Sequence, residues 1–239
     1  MKEQWIEAIA KAEEQRTIEL MSGAKTPETL KQLVRAAHKT SDALVADRWE
    51  QVTGTFLACQ PGCGFCCRYR IQASPPEVLV IADYLQGQLG RAEHAAFMSR
   101  LHGLAEEAVN ADVIAWGMSG RMCPLLLSTE RCSIYAFRPF ICRSWHSFNL
   151  ENCHRGDCIC DSYAYTIPLR ILDGLERGLA KAGLQGEPVE LIIALDEVMG
   201  DSAAAKDWLA GRRVFGRSAD IAKADNLRVY DDMNRAGSI

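Results

Sequence analysis

The stretch Cys59-Gln60-Pro61-Gly62-Cys63-Gly64-Phe65-Cys66-Cys67 places four cysteines within nine residues. The proline and the glycines between them permit tight backbone turns that bring several sulfurs to one point. The Cys63-x2-Cys66 pair has the spacing of a metal knuckle. Cys66 and Cys67 are neighbours whose side chains diverge, which favours either two metal centres or one ligand beside a thiol with another role. Four buried structural cysteines are the plainer alternative.

The overall composition excludes several classes of protein. The chain has 239 residues and a formal net charge of −4, with a pI near 5.8, which argues against a broad nucleic-acid-binding surface. No run approaches the ~18–20 apolar residues of a membrane span, and the N-terminus has no signal-peptide pattern. We therefore expect a cytoplasmic protein that binds neither nucleic acid nor membranes.

The cysteines are confined to the middle of the chain, since all ten lie between Cys59 and Cys160. In a reducing compartment this density indicates metal ligation or redox chemistry; a disulfide framework is the alternative for an oxidising one. The segregation divides the chain into a helical lead-in (1–58), a cysteine-rich metal-binding core (59–160) and a helical C-terminal part (161–239). We expect these three parts to form one integrated domain.

Apolar periodicity predicts helices on both sides of the cysteines. The first four are expected over 3–21, from Pro27 to about 53, from a capping box at Ser74–Glu77 to Gly90, and over 92–110, the last two as a hairpin. Pro168 and Pro188 are predicted to open two later helices, and a third is expected near 202–211, before a polar arm. Short paired strands are expected at Cys123 and Cys132. The predicted fold class is mainly α: a single helical domain with a few short strands and a loop-rich, cysteine-ligated metal centre.

Sulfur ligands select soft metals, either an isolated zinc ion or iron in a cluster. The spacing Cys59-x3-Cys63-x2-Cys66 matches the loop by which radical-SAM enzymes hold a [4Fe–4S] cluster, although the chain lacks the strand–helix repeats of their barrel. Arginines crowd the cysteines and suit a negatively charged cluster, namely Arg68, Arg70, Arg131, Arg138 and Arg143. Because no lysine occurs between Lys39 and Lys181, a general preference for arginine is the alternative explanation.

Two further blocks follow the nine-residue loop: Cys123-x8-Cys132-Ser-Ile-Tyr135, and Arg138-Pro139-x2-Cys142-Arg143. In combination the blocks resemble the YkgJ-type cysteine-cluster family of zinc- or iron-chelating proteins over about residues 59–143. The resemblance implies supporting, cofactor-binding roles for Tyr135, Arg138 and Arg143. It also implies seven metal ligands, namely Cys59, Cys63, Cys66, Cys67, Cys123, Cys132 and Cys142. Some relatives in this family are flagellin lysine methylases.

Seven ligands are one short of two complete tetrathiolate sites. Cys158 or Cys160 could supply the eighth, and Cys153, His146 and His154 are further candidates. An incomplete site would instead leave one metal position open for substrate, as catalytic metal sites do. Because Cys66 completes the loop with Cys59 and Cys63, we expect Cys67 to serve a second centre with Cys123, Cys132 or Cys142.

Two functions are consistent with these residues. The first is an enzyme that uses an open iron–sulfur cluster, most simply [4Fe–4S], for redox or group-transfer chemistry such as protein methylation, on a protein or small-molecule substrate. The second is a non-catalytic zinc- or iron-binding sensor, carrier or structural module. No glycine-rich fingerprint follows a predicted strand to mark a methyl-donor pocket. Ten cysteines nevertheless exceed what one structural site needs, so we favour the enzyme.

Overall fold

The chain begins with two long helices, as its apolar periodicity predicts. The structure is a computed structural model that describes residues 2–52, 57–60, 62–155 and 160–225. Helix α1 spans Lys2–Ser22 and α2 spans Pro27–Gln51. The Thr26 side chain caps α2 by accepting a hydrogen bond from the Thr29 N–H at 3.1 Å. Pro27 follows at the first helical position, where its missing N–H has no intrahelical partner to lose.

The cysteine-bearing middle alternates two longer helices with short turns. Its elements are a 3₁₀ turn at Phe65–Arg68, β1 at Gln72–Ala73, α3 at Pro75–Gln88, α4 at Arg91–Asn110, α5 at Val113–Met118, a second 3₁₀ turn at Tyr135–Phe137, α6 at Phe140–Ser144 and α7 at Leu150–Arg155. The paired strands expected at Cys123 and Cys132 are reduced to one antiparallel bridge between Leu126 and Cys132. The chain reverses directly beside this bridge, where Glu130 has a φ of 58°, so the ladder cannot lengthen on that side.

The C-terminal part returns to helix, with α8 at Ser162–Lys181, β2 at Val189–Glu190, α9 at Leu191–Met199, α10 at Ala204–Leu209 and a further helix at 217–225. The prediction that Pro168 opens a helix is wrong. Asp161 caps α8 seven residues earlier by accepting hydrogen bonds from the Tyr163 and Ala164 N–H groups, and Pro168 lies inside the helix. Pro188 precedes β2 rather than α9, which Glu190 caps. The polar arm predicted at the end falls mainly on 226–239, outside the described residues.

Helix α8 lies at the centre of the packing and contacts α1, α2 and α6. Two of its glycines set its distance from α1. A Cβ added at Gly174 would lie 2.2 Å from the Ala10 carbonyl oxygen, and one added at Gly178 would lie 2.5 Å from the Thr17 Cβ. Any larger residue at these positions would push the two helices apart. The helical lead-in and the C-terminal part therefore share one core.

A two-stranded antiparallel sheet joins the middle of the chain to its C-terminal part, with Gln72 opposite Glu190 and Ala73 opposite Val189. Helices α3 and α4 both pack chiefly on α9 rather than on each other, so the predicted α3–α4 hairpin is replaced by two helices held by a third. The mainly α fold class with few strand residues is confirmed. Among the described residues, no helix combines the length and the apolar character needed to cross a membrane.

Candidate metal centre

The first cysteine loop is folded against the second block by backbone contacts. Gly62 adopts a φ of 92° at the turn, and the Cys63 N–H donates to the Gln60 carbonyl at 3.0 Å. The Cys123 N–H donates to the Cys67 carbonyl at 2.7 Å. Gly64 allows this approach, because a Cβ there would lie 3.0 Å from a methyl group of Leu126. Two cysteine groups separated by more than fifty residues in sequence thus meet through main-chain hydrogen bonds.

A buried carboxylate, that of Glu77, binds the first turn of the helix that carries Cys142. The Phe140 N–H, at the first position of α6, donates to Glu77 Oε1 at 2.9 Å. The same carboxylate accepts hydrogen bonds from His38 Nε2 at 2.9 Å and from the Ser74 N–H at 3.0 Å. Glu77 is 1% exposed. This acid therefore joins α2, α3 and α6 at one point beneath Cys142.

Arg143 continues this network towards the surface. Its Nη2 donates to His38 Nδ1 at 3.3 Å, which assigns the proton of the neutral imidazole to Nε2, the atom facing Glu77. The other guanidinium hydrogen bonds reach the Arg138 carbonyl at 2.9 Å, the Ala136 carbonyl at 2.8 Å and both Asp42 carboxylate oxygens at 2.6 and 2.7 Å. Arg143 thus fixes the turn that carries Arg138.

Four cysteines from different segments interact with one another: Cys66, Cys123, Cys132 and Cys142. The pKa of Cys123 is raised to about 12, chiefly by burial; a backbone hydrogen bond at Leu125 opposes this shift, and the neighbouring thiols Cys132 and Cys66 contribute to it. Burial is also the main cause that raises the pKa of Cys142, followed by Cys123, Cys66 and Cys132. Cys67, which the sequence predicts for this group, is hydrogen-bonded to Cys66, so the two neighbouring thiols lie together.

Arg138 is the cation that faces this thiol group. Its charge opposes the raised pKa values of Cys66, Cys132 and Cys142. The largest cause that raises the pKa of Cys66 is its hydrogen bond with Cys67, followed by burial. The guanidinium carbon of Arg138 lies 4.3 Å from the centre of the Tyr135 ring. Because the thiols favour their protonated form, a metal that binds them must release protons.

A cavity of about 590 Å³ opens beside this group. Six cysteines contribute to its lining, namely Cys59, Cys63, Cys66, Cys142, Cys153 and Cys160. Aromatic side chains form much of the remaining wall, namely Phe65, Tyr69, Tyr135, Trp145 and Tyr165. Cys66 and Cys142 therefore belong both to the interacting thiol group and to the wall of an accessible cavity.

The two histidine candidates differ in their surroundings. His146 is 8% exposed and both ring nitrogens are engaged: Nδ1 donates to the Ser144 carbonyl at 3.0 Å and Nε2 accepts from the Asp161 N–H at 2.9 Å. Burial lowers the pKa of His146. It would have to give up one of these hydrogen bonds to bind a metal. The exposed His154 ring lies 4.4 Å from that of Phe65, centre to centre.

The donor set fits a thiophilic metal. Thiolates are the ligands of structural zinc and of iron–sulfur clusters, and among the described residues no cysteine is in a disulfide. Cys158 lies outside the described residues. In the part of the chain that the structure describes, the three-residue group with ligand atoms within 4.8 Å of one another is His102, Glu106 and Asp196, whose two carboxylates pair with Arg217. Six of the described cysteines instead line the cavity.

Several residues of the site carry little signal in the sequence. The capping box at Ser74 identifies Glu77 as a helix cap, yet its contacts with His38 and Phe140 depend on tertiary packing. Tyr69, Trp145 and Tyr165 belong to no motif, and they reach the cavity because the segments that carry them fold around it.

Comparison with known protein families bears directly on this site. Residues 58–161 match the family model named CxxCxxCC, which is described as a putative zinc- or iron-chelating domain. The match covers the cysteine blocks whose motifs resemble a cysteine-cluster family, and it supports metal binding by this part of the chain. No curated protein and no solved structure matches the chain.

Proposed function

We propose that this chain is an iron–sulfur protein whose cluster faces the aromatic-walled cavity and acts there in redox or group-transfer chemistry. One observation carries the proposal: Cys66 and Cys142 belong to the interacting thiol group and also line an open cavity of about 590 Å³. A purely structural metal site is closed by protein ligands, whereas a catalytic site keeps a position that substrate can reach.

The arrangement of cysteines favours a cluster over a single zinc ion. Zinc lies about 2.3 Å from each thiolate, so its four ligands must converge on one point. Cysteines that surround a cavity suit a larger inorganic core, such as [4Fe–4S], whose irons each take a thiolate on a different side. The donor set thus supports iron, with zinc as the alternative metal.

Two sets of ligands are proposed. Cys66, Cys123, Cys132 and Cys142 would hold the inner centre, since these thiols lie close enough to raise one another's pKa. The outer cysteines of the cavity, Cys59, Cys63 and Cys160, would hold a second centre or complete an open one. Cys67, hydrogen-bonded to Cys66, and Cys158 remain in the proposed ligand set. The three parts of the chain would then form one domain around the metal.

The supporting residues divide into two roles. Arg138 would compensate the negative charge of the thiolates, because its guanidinium already acts on three of these thiols. Tyr135 stacks on Arg138 and fixes its orientation. Arg143 would act indirectly, because its guanidinium holds the turn that carries Arg138.

The cavity offers room for a reaction partner. When bound, the cluster would supply electron transfer or Lewis acidity at the cavity wall. A protein side chain or a small molecule would be the substrate, and the family resemblance makes protein methylation one form of this group transfer. We further propose a cytoplasmic location, because free thiols in this number suit a reducing compartment.

One observation favours a second function, that of a non-catalytic zinc- or iron-binding module. Cys123 and Cys132 pack against the hydrophobic core, so a metal held there would also stabilise the fold. In this alternative the cavity is incidental, and the metal takes no part in electron or group transfer.

Reductive titration distinguishes the two functions. The full chain is purified without oxygen and titrated with dithionite while its visible spectrum is recorded. We expect the thiolate-to-iron absorption to bleach and to return on reoxidation, with the protein still folded. A spectrum that dithionite leaves unchanged would support the non-catalytic alternative and contradict the redox function.

A further inference from the structure

The cavity is larger and more aromatic than metal ligation requires. Its volume of about 590 Å³ lies within the range of sites that bind small organic molecules. The Tyr69 and Trp145 rings form one wall in edge contact, 5.3 Å apart from centre to centre. Tyr135, Leu150 and Tyr165 stand at its margin and are 58%, 39% and 38% exposed. Such exposed apolar surface around a concave site is typical of a ligand-binding rim.

The charge of the lining is one-sided. Among the described residues that line the cavity, Arg138 is the only lysine or arginine, and none is an aspartate or glutamate. The Nε–H of Arg138 is buried, and no group in the described residues accepts a hydrogen bond from it. A buried guanidinium donor without a partner costs free energy unless a ligand supplies an acceptor. Arg138 therefore offers the cavity a positive charge that no carboxylate of the described lining neutralises.

One guanidinium can serve both the thiols and a ligand. Arginine carries five N–H donors in a rigid planar fork. One edge of this fork can compensate thiolate charge while the other donates to a carboxylate. Stacking on Tyr135 at 4.3 Å holds the plane in place and leaves its edges available for hydrogen bonds.

We propose that the cavity binds a small organic anion with a flat apolar body, an aromatic or heteroaromatic carboxylate, whose acidic group is bound by Arg138. The aromatic walls would contact the ring, and Leu150 would close the outer side. The inference rests on the proposed function for the presence of a metal beside the ligand. The ligand class follows from the lining alone.

Calorimetric titration tests the proposal, with naphthoate as the probe and naphthalene methanol as its neutral analogue. The protein is the full chain purified without oxygen, and its iron content is measured on the same samples. We expect one naphthoate per chain, bound about tenfold or more tighter than the alcohol. Arg138→Gln should weaken naphthoate binding by a similar factor. Arg131→Gln removes an exposed arginine outside the cavity lining and should leave binding unchanged.

A second variant is needed because Arg138→Gln also removes a residue proposed to support the metal. Leu150→Trp fills the margin of the cavity without removing a charge or a proposed ligand, and it should abolish naphthoate binding at unchanged iron content. Equal binding of naphthoate and its alcohol, or unchanged naphthoate binding in both variants, overturns the proposal. Iron-loaded protein that binds no naphthoate overturns this inference alone. Iron-free protein that binds naphthoate through Arg138 overturns the proposed function and supports the anion site.

Discussion

The Glu77 carboxylate accepts a hydrogen bond from the backbone N–H of Phe140 at 2.9 Å and thereby ties α3 to the start of α6. Cys142 follows two residues later on that helix. The same buried acid binds His38 on α2 and caps its own helix through Ser74. Glu77 is not a proposed metal ligand, yet it determines where one of the proposed ligands lies.

Replacement of Glu77 should therefore affect both stability and metal retention. Glu77→Gln removes the charge and turns an amide NH₂ towards groups that donate hydrogen bonds. We expect a loss of about 2–3 kcal/mol in the free energy of unfolding and a lower metal content. Urea unfolding followed by circular dichroism, with metal analysis, measures both effects.

Glu93 provides the matched control for this variant. It accepts a hydrogen bond from the Gly90 N–H at 3.0 Å at the start of α4, as Glu77 does at α3, but it is exposed. Glu93→Gln should cost less than about 1 kcal/mol and leave the metal content unchanged. Equal losses in the two variants would show that Glu77 acts only as a helix cap.

Arg143 should be sensitive to a substitution that keeps its charge. Its guanidinium binds two backbone carbonyls, His38 and Asp42 at once, a pattern that the ammonium of Arg143→Lys cannot reproduce. We expect faster loss of metal to a mild chelator and a lower melting temperature. Arg121→Lys, at an exposed pair with Glu107, should match the parent. Identical chelation rates for parent and Arg143→Lys would contradict the role of Arg143 as a clamp.

The adjacent cysteines should differ in their importance. Cys66 interacts with Cys123, Cys132 and Cys142 and also lines the cavity, so Cys66→Ser should remove most of the bound metal. Cys67→Ser should remove less, because Cys67 does not line the cavity among the described residues. The metal content of the two purified variants, compared with that of the parent, tests this difference. A greater loss in Cys67→Ser would contradict this expectation, and loss of a different centre in each variant would support the assignment that the sequence predicted.

One half-buried acid away from the cysteines, Glu176, should make stability depend on pH. Burial, with the nearby carboxylates of Asp173 and Glu77, raises the pKa of Glu176 on α8 from 4.5 to about 8. The folded chain therefore holds this proton over a range in which the unfolded chain releases it. The stabilising contribution is complete below pH 4.5 and is lost as the pH rises through 8.

Glu176→Gln should remove this dependence. The variant should unfold at a higher urea concentration than the parent above pH 8 and differ little from it near pH 4.5. The control is Glu50→Gln, at an exposed position of α2, which should follow the parent at both values. Parallel pH curves for Glu176→Gln and the parent would show that the acid ionises normally.

Local signals in the sequence predicted the elements that they control directly. Pro27, the Ser74–Glu77 capping box and the apolar periodicity predicted α2, α3 and α4 almost to the residue. The start of α8 was predicted wrongly at Pro168, because a proline inside a helix has the same local sequence pattern as a proline that begins one. The helix begins after its cap, Asp161.

The cysteine spacing predicted the presence of a metal-chelating region but not how its thiols are grouped. The predicted divergence of Cys66 and Cys67 is wrong, because their side chains are hydrogen-bonded to each other, and only tertiary packing places Cys66 beside Cys142. The aromatic wall of the cavity depends in the same way on distant segments, as the contact between Tyr69 and Trp145 shows.

The most direct test of the account is the metal content of the full chain purified without oxygen. We predict a brown protein with broad absorption at about 400 nm, containing iron and acid-labile sulfide in equal amounts, and losing colour in air. A colourless protein with stoichiometric zinc and no sulfide would contradict the iron–sulfur centre.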